Sequence, residues 1–208
     1  MDALLLDFNG TLSEDEPLLC RIFQELFSEA GKPVSEQEYY DRLSGLSDRE
    51  IVRLWLGRDD PAMLNRKVAR YLELADGSTV STEAREAVRH AAEHTTVAVV
   101  SGSARAEIEP VLEAAGLADA VTLIVSVDDV QRGKPDPEGY LLALQLLGIQ
   151  ATDAAAVEDS EAGVAAAKTA GLYCVGVTTT LPAERLFQAD ELAERVDQDL
   201  IARLLSLE

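Results

Sequence analysis

The feature that most constrains this chain is a repeated alternation of short, wholly apolar runs of β character with segments of helical spacing. The runs are Ala3 to Leu6, Val97 to Val100, Val121 to Val127, Ala154 to Val157 and Cys174 to Val177. From the second run onward, a helical pattern separates each from the next. Gly116, Gly148 and Gly171 stand just past three of those patterns, where a left-handed C-cap is wanted. A strand that is apolar throughout is covered on both faces, and alternation with helices supplies that cover. The fold class is therefore α/β, a doubly wound parallel sheet of Rossmann-like type.

Residues 14 to 80 interrupt the alternation. They read as consecutive helices: Pro17 to Ala30, ending at Gly31, then Ser35 to Leu43, Asp48 to Leu56, and Pro61 to Ala75. Ser47 with Glu50 forms a capping box for the third. The expected organisation is an α/β core of residues 1–13 and 81–208 with an all-helical cap of residues 14–80. Hinges are expected at Leu12 to Asp15 and Asp76 to Thr82. Trp55 and Leu54 are expected to pack inside the cap.

Charge narrows the partners. With 18 basic against 38 acidic residues the net charge is −20. Such a surface repels nucleic-acid backbones and anionic bilayers, so neither is expected as a partner. An anionic ligand must then be captured by local cations. No apolar run approaches the roughly 20 residues that span a bilayer. Met1-Asp2 leads directly into an apolar run without the basic stretch of a secretory signal. Cys20 and Cys174 lie among apolar neighbours and make no disulfide framework. These features predict a cytoplasmic protein, a monomer or weak dimer.

Open parallel sheets bind ligands beyond the carboxyl ends of their strands. There the sequence places Asp7-Phe8-Asn9-Gly10-Thr11-Leu12, Ser101-Gly102-Ser103, Asp128-Asp129 with Gly133-Lys134-Pro135-Asp136-Pro137, and Glu158-Asp159-Ser160. Any one of these segments alone reads as a turn or N-cap; four at one edge mark a site. Asp7, Glu158 and Asp159 converge there, and two such charges about 5 Å apart repel by roughly 3 kcal/mol at an effective dielectric of 20. Lys134 is one compensator, and a hard, oxygen-seeking cation such as Mg²⁺ is the better one. No His or Cys lies beside these positions, which argues against zinc; His90 and His94 read as surface residues.

Together, Asp7-x-Asn9-Gly10-Thr11-Leu12, Ser101-Gly102, Lys134-Pro135 and Glu158-Asp159-Ser160-x-Ala162-Gly163 resemble the haloacid dehalogenase-like superfamily. The resemblance spans essentially the whole chain, and the helical insertion looks like the cap of its β-phosphoglucomutase and phosphoglycolate phosphatase subgroup. It implies a Mg²⁺-dependent phosphatase acting on a small phosphorylated metabolite. Asp7 is then the nucleophile that forms an aspartyl-phosphate. Mg²⁺ is held by Asp7, the backbone carbonyl of Asn9, Asp159 and, through water, Glu158. Ser101 and the Gly102 amide grip the phosphoryl oxygens beside Asn9, Gly10 and Thr11, and Lys134 neutralises charge. In the cap segment Gly45-Leu46-Ser47-Asp48-Arg49, Ser47 and Arg49 are the implied substrate contacts.

One position departs from the pattern. The superfamily's phosphotransferases carry a second aspartate two residues after the nucleophile, and this chain has Asn9. An amide cannot exchange the proton that this aspartate delivers and reclaims, and losing a general acid costs about 10² to 10⁴ in rate. Three readings follow. The protein is a phosphohydrolase that draws its proton from water or a cap residue, or whose substrate needs none. Alternatively it is a catalytically impaired binder of a phosphorylated ligand, or a dehalogenase-type hydrolase. The intact Glu158-Asp159 pair favours phosphate chemistry.

Overall fold

Every apolar run becomes a strand in the computed structural model, which describes residues 1–206. In chain order, β1 (Ala3–Leu6) is followed by α1 (Glu16–Glu29), α2 (Glu36–Arg42), α3 (Asp48–Leu56) and α4 (Pro61–Leu74). The alternation then runs α5 (Thr82–Ala92), β2 (Thr96–Val100), α6 (Arg105–Ala115), β3 (Leu123–Val125), α7 (Glu138–Leu147) and β4 (Ala154–Glu158). It closes with α8 (Glu161–Thr169), β5 (Tyr173–Val177), β6 (Glu191–Ala193) and α9 (Gln198–Leu205). The strands form one parallel sheet in the order β3-β2-β1-β4-β5-β6. β1 is thus central, and the strand order reverses beside it, where such sheets carry ligands.

The two-residue period of the strands divides the core. Leu4, Leu6, Val97, Val99 and Val157 pack on one face, against α1, α5, α6 and α9. Ala3, Leu5, Ala98, Ala156 and Cys174 pack on the other, against α7 and α8. Burying each leucine of β1 is worth about 2 kcal/mol. Small alanines in β4 let Tyr140 and Leu144 of α7 pack within the second cluster.

Two strands depart from the sequence reading. β3 is three residues long where a run from Val121 to Val127 is expected, because the Ser126 hydroxyl accepts from the Asp128 amide and turns the chain out of the ladder. β6 is too short and too polar to read as a strand; it exists because β5 offers an open edge.

The insertion contains no strand among the described residues. The inner face of α1 carries Ile22, Phe23, Leu26 and Phe27, all buried. Phe23 stacks on Tyr39 and Phe27 on Trp55, each pair with ring centroids 6.1 Å apart. Leu54 corrects the expectation that it packs with Trp55. Ile51, Val52 and Trp55 define the inward face of α3, and Leu54 falls off it and is 50% exposed.

A buried ammonium ties this helical layer to the sheet layer. Lys67 on α4 is fully enclosed, with its Nζ 2.9 Å from Asp48 Oδ2 on α3 and 2.8 Å from Glu107 Oε1 on α6. Desolvation opposes its charge, but the two carboxylates outweigh it and hold its pKa above the usual lysine value. Burial pushes Glu107 up to about 7 against the pull of Lys67.

Replacing one member of a buried ion cluster strands the others, so Lys67→Met should cost about 3 to 5 kcal/mol in urea unfolding. The double variant Lys67→Met/Glu107→Leu should recover part of that loss. A raised carboxyl contributes stability below its unfolded pKa and loses it as pH rises through the folded value, so the Lys67→Met deficit should be smaller near pH 5 than near pH 8. A loss under about 1 kcal/mol would show that the cluster does not hold the layers together.

Candidate active site at the carboxyl edge of the sheet

Register alone brings the acids together. Leu6 pairs with Val99 on one side and Val157 on the other, so the next residue, Asp7, emerges between Val100 and Glu158. Its amide donates to the Val157 carbonyl at 3.0 Å. The loop between β3 and α7 delivers Lys134 into the same gap. Its Nζ donates to Asp7 Oδ1 at 2.5 Å and to the Val100 carbonyl at 2.9 Å, and lies 2.5 Å from Glu158 Oε1. The Tyr140 hydroxyl donates to that same Glu158 oxygen.

Asp7, Glu158 and Asp159 are all buried, and one oxygen of each lies within 4.8 Å of the others. Two glycines make the crowding feasible. Gly10 has φ +77°, and a Cβ there would sit 2.0 Å from Asp159 Oδ2. At Gly163, in the first turn of α8, a Cβ would sit 1.8 Å from Glu158 Oε2. Thr11 Oγ1 donates to Asp159 Oδ1 at 3.2 Å.

The charge balance is unfavourable as it stands. Burial raises the Glu158 pKa to about 8, opposed by Lys134 and reinforced by Asp7 and Asp159. Burial likewise raises Asp7, against the pull of Lys134. Asp159 is raised by burial and by the Asp7 and Glu16 charges. Glu158 Oε2 has no hydrogen-bond partner among the described residues although it is buried. An orphaned carboxylate oxygen among clustered acids, with Lys134 as their close cation, is a donor set that fits a hard divalent cation.

Asn9 is held at both ends of its amide. Nδ2 donates to Asp15 Oδ2 at 2.9 Å, and Oδ1 accepts from Ser103 Oγ at 2.7 Å. Asp15 also receives the hydroxyls of Ser13 and Tyr71. Asp7, Asn9, Ser101, Gly102, Ser103 and Lys134 line one cavity, roofed from the insertion by Glu16, Tyr39, Leu46 and Asp48. The cavity is narrow and partly open, with about 30 Å³ of interior space, room for about two waters. The roof presses closely: a Cβ on Gly102 would lie 3.1 Å from Ser47 Cα.

Most sequence-derived candidates converge. Asp7, Asn9, Ser101, Gly102 and Lys134 share the cavity, Glu158 and Asp159 adjoin Asp7, and Gly10 and Thr11 shape the surroundings of Asp159. Ser47 commits its hydroxyl to the capping box with Glu50. Arg49 is not brought to the acids: it is exposed, 3.6 Å from Asp59, in a separate groove with Arg53 and Arg132. His90 and His94 lie on or just past α5, half-buried and exposed, with Glu93 between them. Sequence reasoning missed Glu16, Tyr39 and Tyr140. Glu16 reads as an ordinary first-turn acid, and no local pattern marks either tyrosine as facing a carboxylate.

A family model described as haloacid dehalogenase-like hydrolase matches residues 1–171. Validoxylamine A 7'-phosphate phosphatase of Streptomyces hygroscopicus subsp. limoneus is 32% identical over 194 residues, 90% of this chain and 91% of that protein. The phosphorylated carbohydrates phosphatase of Thermotoga maritima is 29% identical, covering 83% of this chain and 82% of its own. Among solved structures, CbbY from Rhodobacter sphaeroides in complex with phosphate superposes with a TM-score of 0.80 at 27% identity, covering 96% of each chain.

The raised carboxyls carry a sign. Their contribution to stability is present below the unfolded carboxylate pKa and lost as pH rises through the folded values, with Glu158 near 8. The metal-free protein should therefore melt higher near pH 5 than near pH 8, and added Mg²⁺ should raise the melting temperature more at the higher pH. Asp159→Asn should stabilise the metal-free protein and remove most of the Mg²⁺ response. A melting temperature indifferent to Mg²⁺ at every pH would contradict the fit of this donor set to a cation.

Proposed function

The chain belongs to the haloacid dehalogenase-like hydrolases, and from that premise we propose that it is a phosphatase of small phosphorylated carbohydrates, working through an aspartyl-phosphate on Asp7. The observation that carries this reading is the buried contact of Lys134 with both Asp7 and Glu158, beside the unpartnered Glu158 Oε2. It readies one carboxylate as a nucleophile at a place built for more positive charge than one lysine supplies. The substrate class follows the Thermotoga relative, by name a phosphatase of phosphorylated carbohydrates, and the Streptomyces relative is by name a phosphatase of another phosphorylated small molecule, validoxylamine A 7'-phosphate.

In this mechanism an Asp7 carboxylate oxygen attacks phosphorus in line with the departing oxygen. The Ser101 hydroxyl and Gly102 amide bind the non-bridging oxygens. Lys134 holds Asp7 ionised and offsets the charge that gathers on the phosphoryl group. Asp7, the Asn9 carbonyl, Asp159 and, through water, Glu158 would hold Mg²⁺, which would supply the remaining positive charge. In this reading residues 14–80, whose Glu16, Tyr39, Leu46 and Asp48 narrow the cavity, act as a cap that lifts on hinges at residues 12–15 and 76–82. A dehalogenase would have no use for the Glu158-Asp159 pair, so phosphate is the better match.

The test is phosphate release from a panel of sugar phosphates, acetyl phosphate and 4-nitrophenyl phosphate with Mg²⁺. Asp7→Asn should reduce release to background, and Lys134→Met should lower kcat by about 10² to 10³. Tight phosphate binding without release from any substrate would make the protein a binder, and halide release from a haloacid would make it a dehalogenase.

A further inference from the structure

Three carboxyls line the cavity: Asp7, Glu16 and Asp48. Asp7 is paired with Lys134 and Asp48 with Lys67. Glu16 has no cation partner among the described residues, and its Oε1 accepts the Tyr39 hydroxyl at 3.0 Å. It stands at the first residue of α1 and lines the same cavity as the Asp7 nucleophile. The same residue also borders the open groove formed with Gly10, Thr179, Thr180 and Arg195.

Asn9 cannot serve as the proton donor. Its amide is held at both ends, and an amide has no proton to give at neutral pH. Resting on the phosphatase reading, we propose that Glu16 is the general acid and base of the reaction, the role that Asn9 leaves open. In the first step the Asp7 oxygen bonds to phosphorus, the bond to the substrate oxygen breaks, and the Glu16 carboxyl gives that oxygen its proton, releasing an alcohol. In the second step the Glu16 carboxylate takes a proton from water as the water oxygen bonds to phosphorus and the bond to Asp7 breaks. Inorganic phosphate leaves and Glu16 is protonated again.

Its surroundings suit the task. Burial raises Glu16 to about 7, and the Asp15 and Asp7 charges add to the rise while the Tyr39 hydrogen bond opposes it. The titratable groups facing it are Asp15 from the hinge, Asp7 from β1, Asp159 beyond β4, Cys20 on its own helix, and Tyr39 and Tyr40 on α2. A carboxyl that keeps its proton near neutral pH is matched to donating it there.

The proposal is tested by first-turnover and steady-state kinetics with glucose 6-phosphate, whose leaving alkoxide needs a proton, and 4-nitrophenyl phosphate, whose leaving group does not. Glu16→Gln keeps an acceptor for Tyr39. It should slow first-turnover transfer from glucose 6-phosphate by about 10² to 10⁴. The 4-nitrophenol burst should change by less than about tenfold, followed by a slow steady rate because the second step has lost its base. In the native enzyme, which needs no variant to fold, first-turnover transfer from glucose 6-phosphate should fall above neutral pH while the 4-nitrophenol burst does not. Equal losses on both substrates, or identical pH profiles, would overturn the role of Glu16 while leaving the phosphatase reading intact. No phosphate released from either substrate by the native protein would overturn the phosphatase reading itself.

Discussion

One ammonium, Lys134 Nζ, answers for the acids at the carboxyl edge of the sheet, and the surrounding architecture follows from that shortage of positive charge. Asp7 and Glu158 share Lys134 at 2.5 Å each. Tyr140 adds a neutral donor to the loaded Glu158 oxygen, and Gly163 leaves room for the other one, which stays unpartnered among the described residues. Asp159 adds a third charge with Thr11 as its side-chain donor. A chain carrying a net charge of −20 gains no help from its overall field. A buried cluster so short of positive charge is a donor set that suits a hard cation.

The same scarcity of cations shapes the helical layer. Lys67 is shared between Asp48, at the start of the roof helix α3, and Glu107, on α6 just past the Ser101-Gly102-Ser103 loop. One buried lysine thus joins the sheet-edge wall of the cavity to its helical roof. Lifting that roof would hydrate the cluster and lower the desolvation cost of all three charges. That relief offsets part of the ion-pair attraction and apolar burial that hold the two layers together.

The sheet is legible in the sequence because it is buried on both faces, which leaves uninterrupted Val, Ala and Leu runs; β6, pinned only at an edge, leaves no such trace. The candidate site is legible as far as strand ends carry it, since Asp7, Glu158 and Asp159 reach one place by register alone, with Ser101 at the end of the neighbouring strand. Side chains whose role depends on another element are not legible. Nothing in the sequence says that Asp59 stands beside Arg49, or that Ile51 and Trp55 set the inward face of α3 and leave Leu54 off it. Glu16 and Lys67 are ordinary helix residues until α2, α3 and α6 close over them.

Passage of the phosphoryl group through a covalent bond to Asp7 is tested most directly by intact mass after rapid acid quench. On mixing with acetyl phosphate and Mg²⁺, the chain is expected to gain the mass of one phosphoryl group, carried on the peptide containing Asp7 and absent from Asp7→Asn. Release of inorganic phosphate with no adduct at any quench time, or with an adduct on another residue, would contradict it.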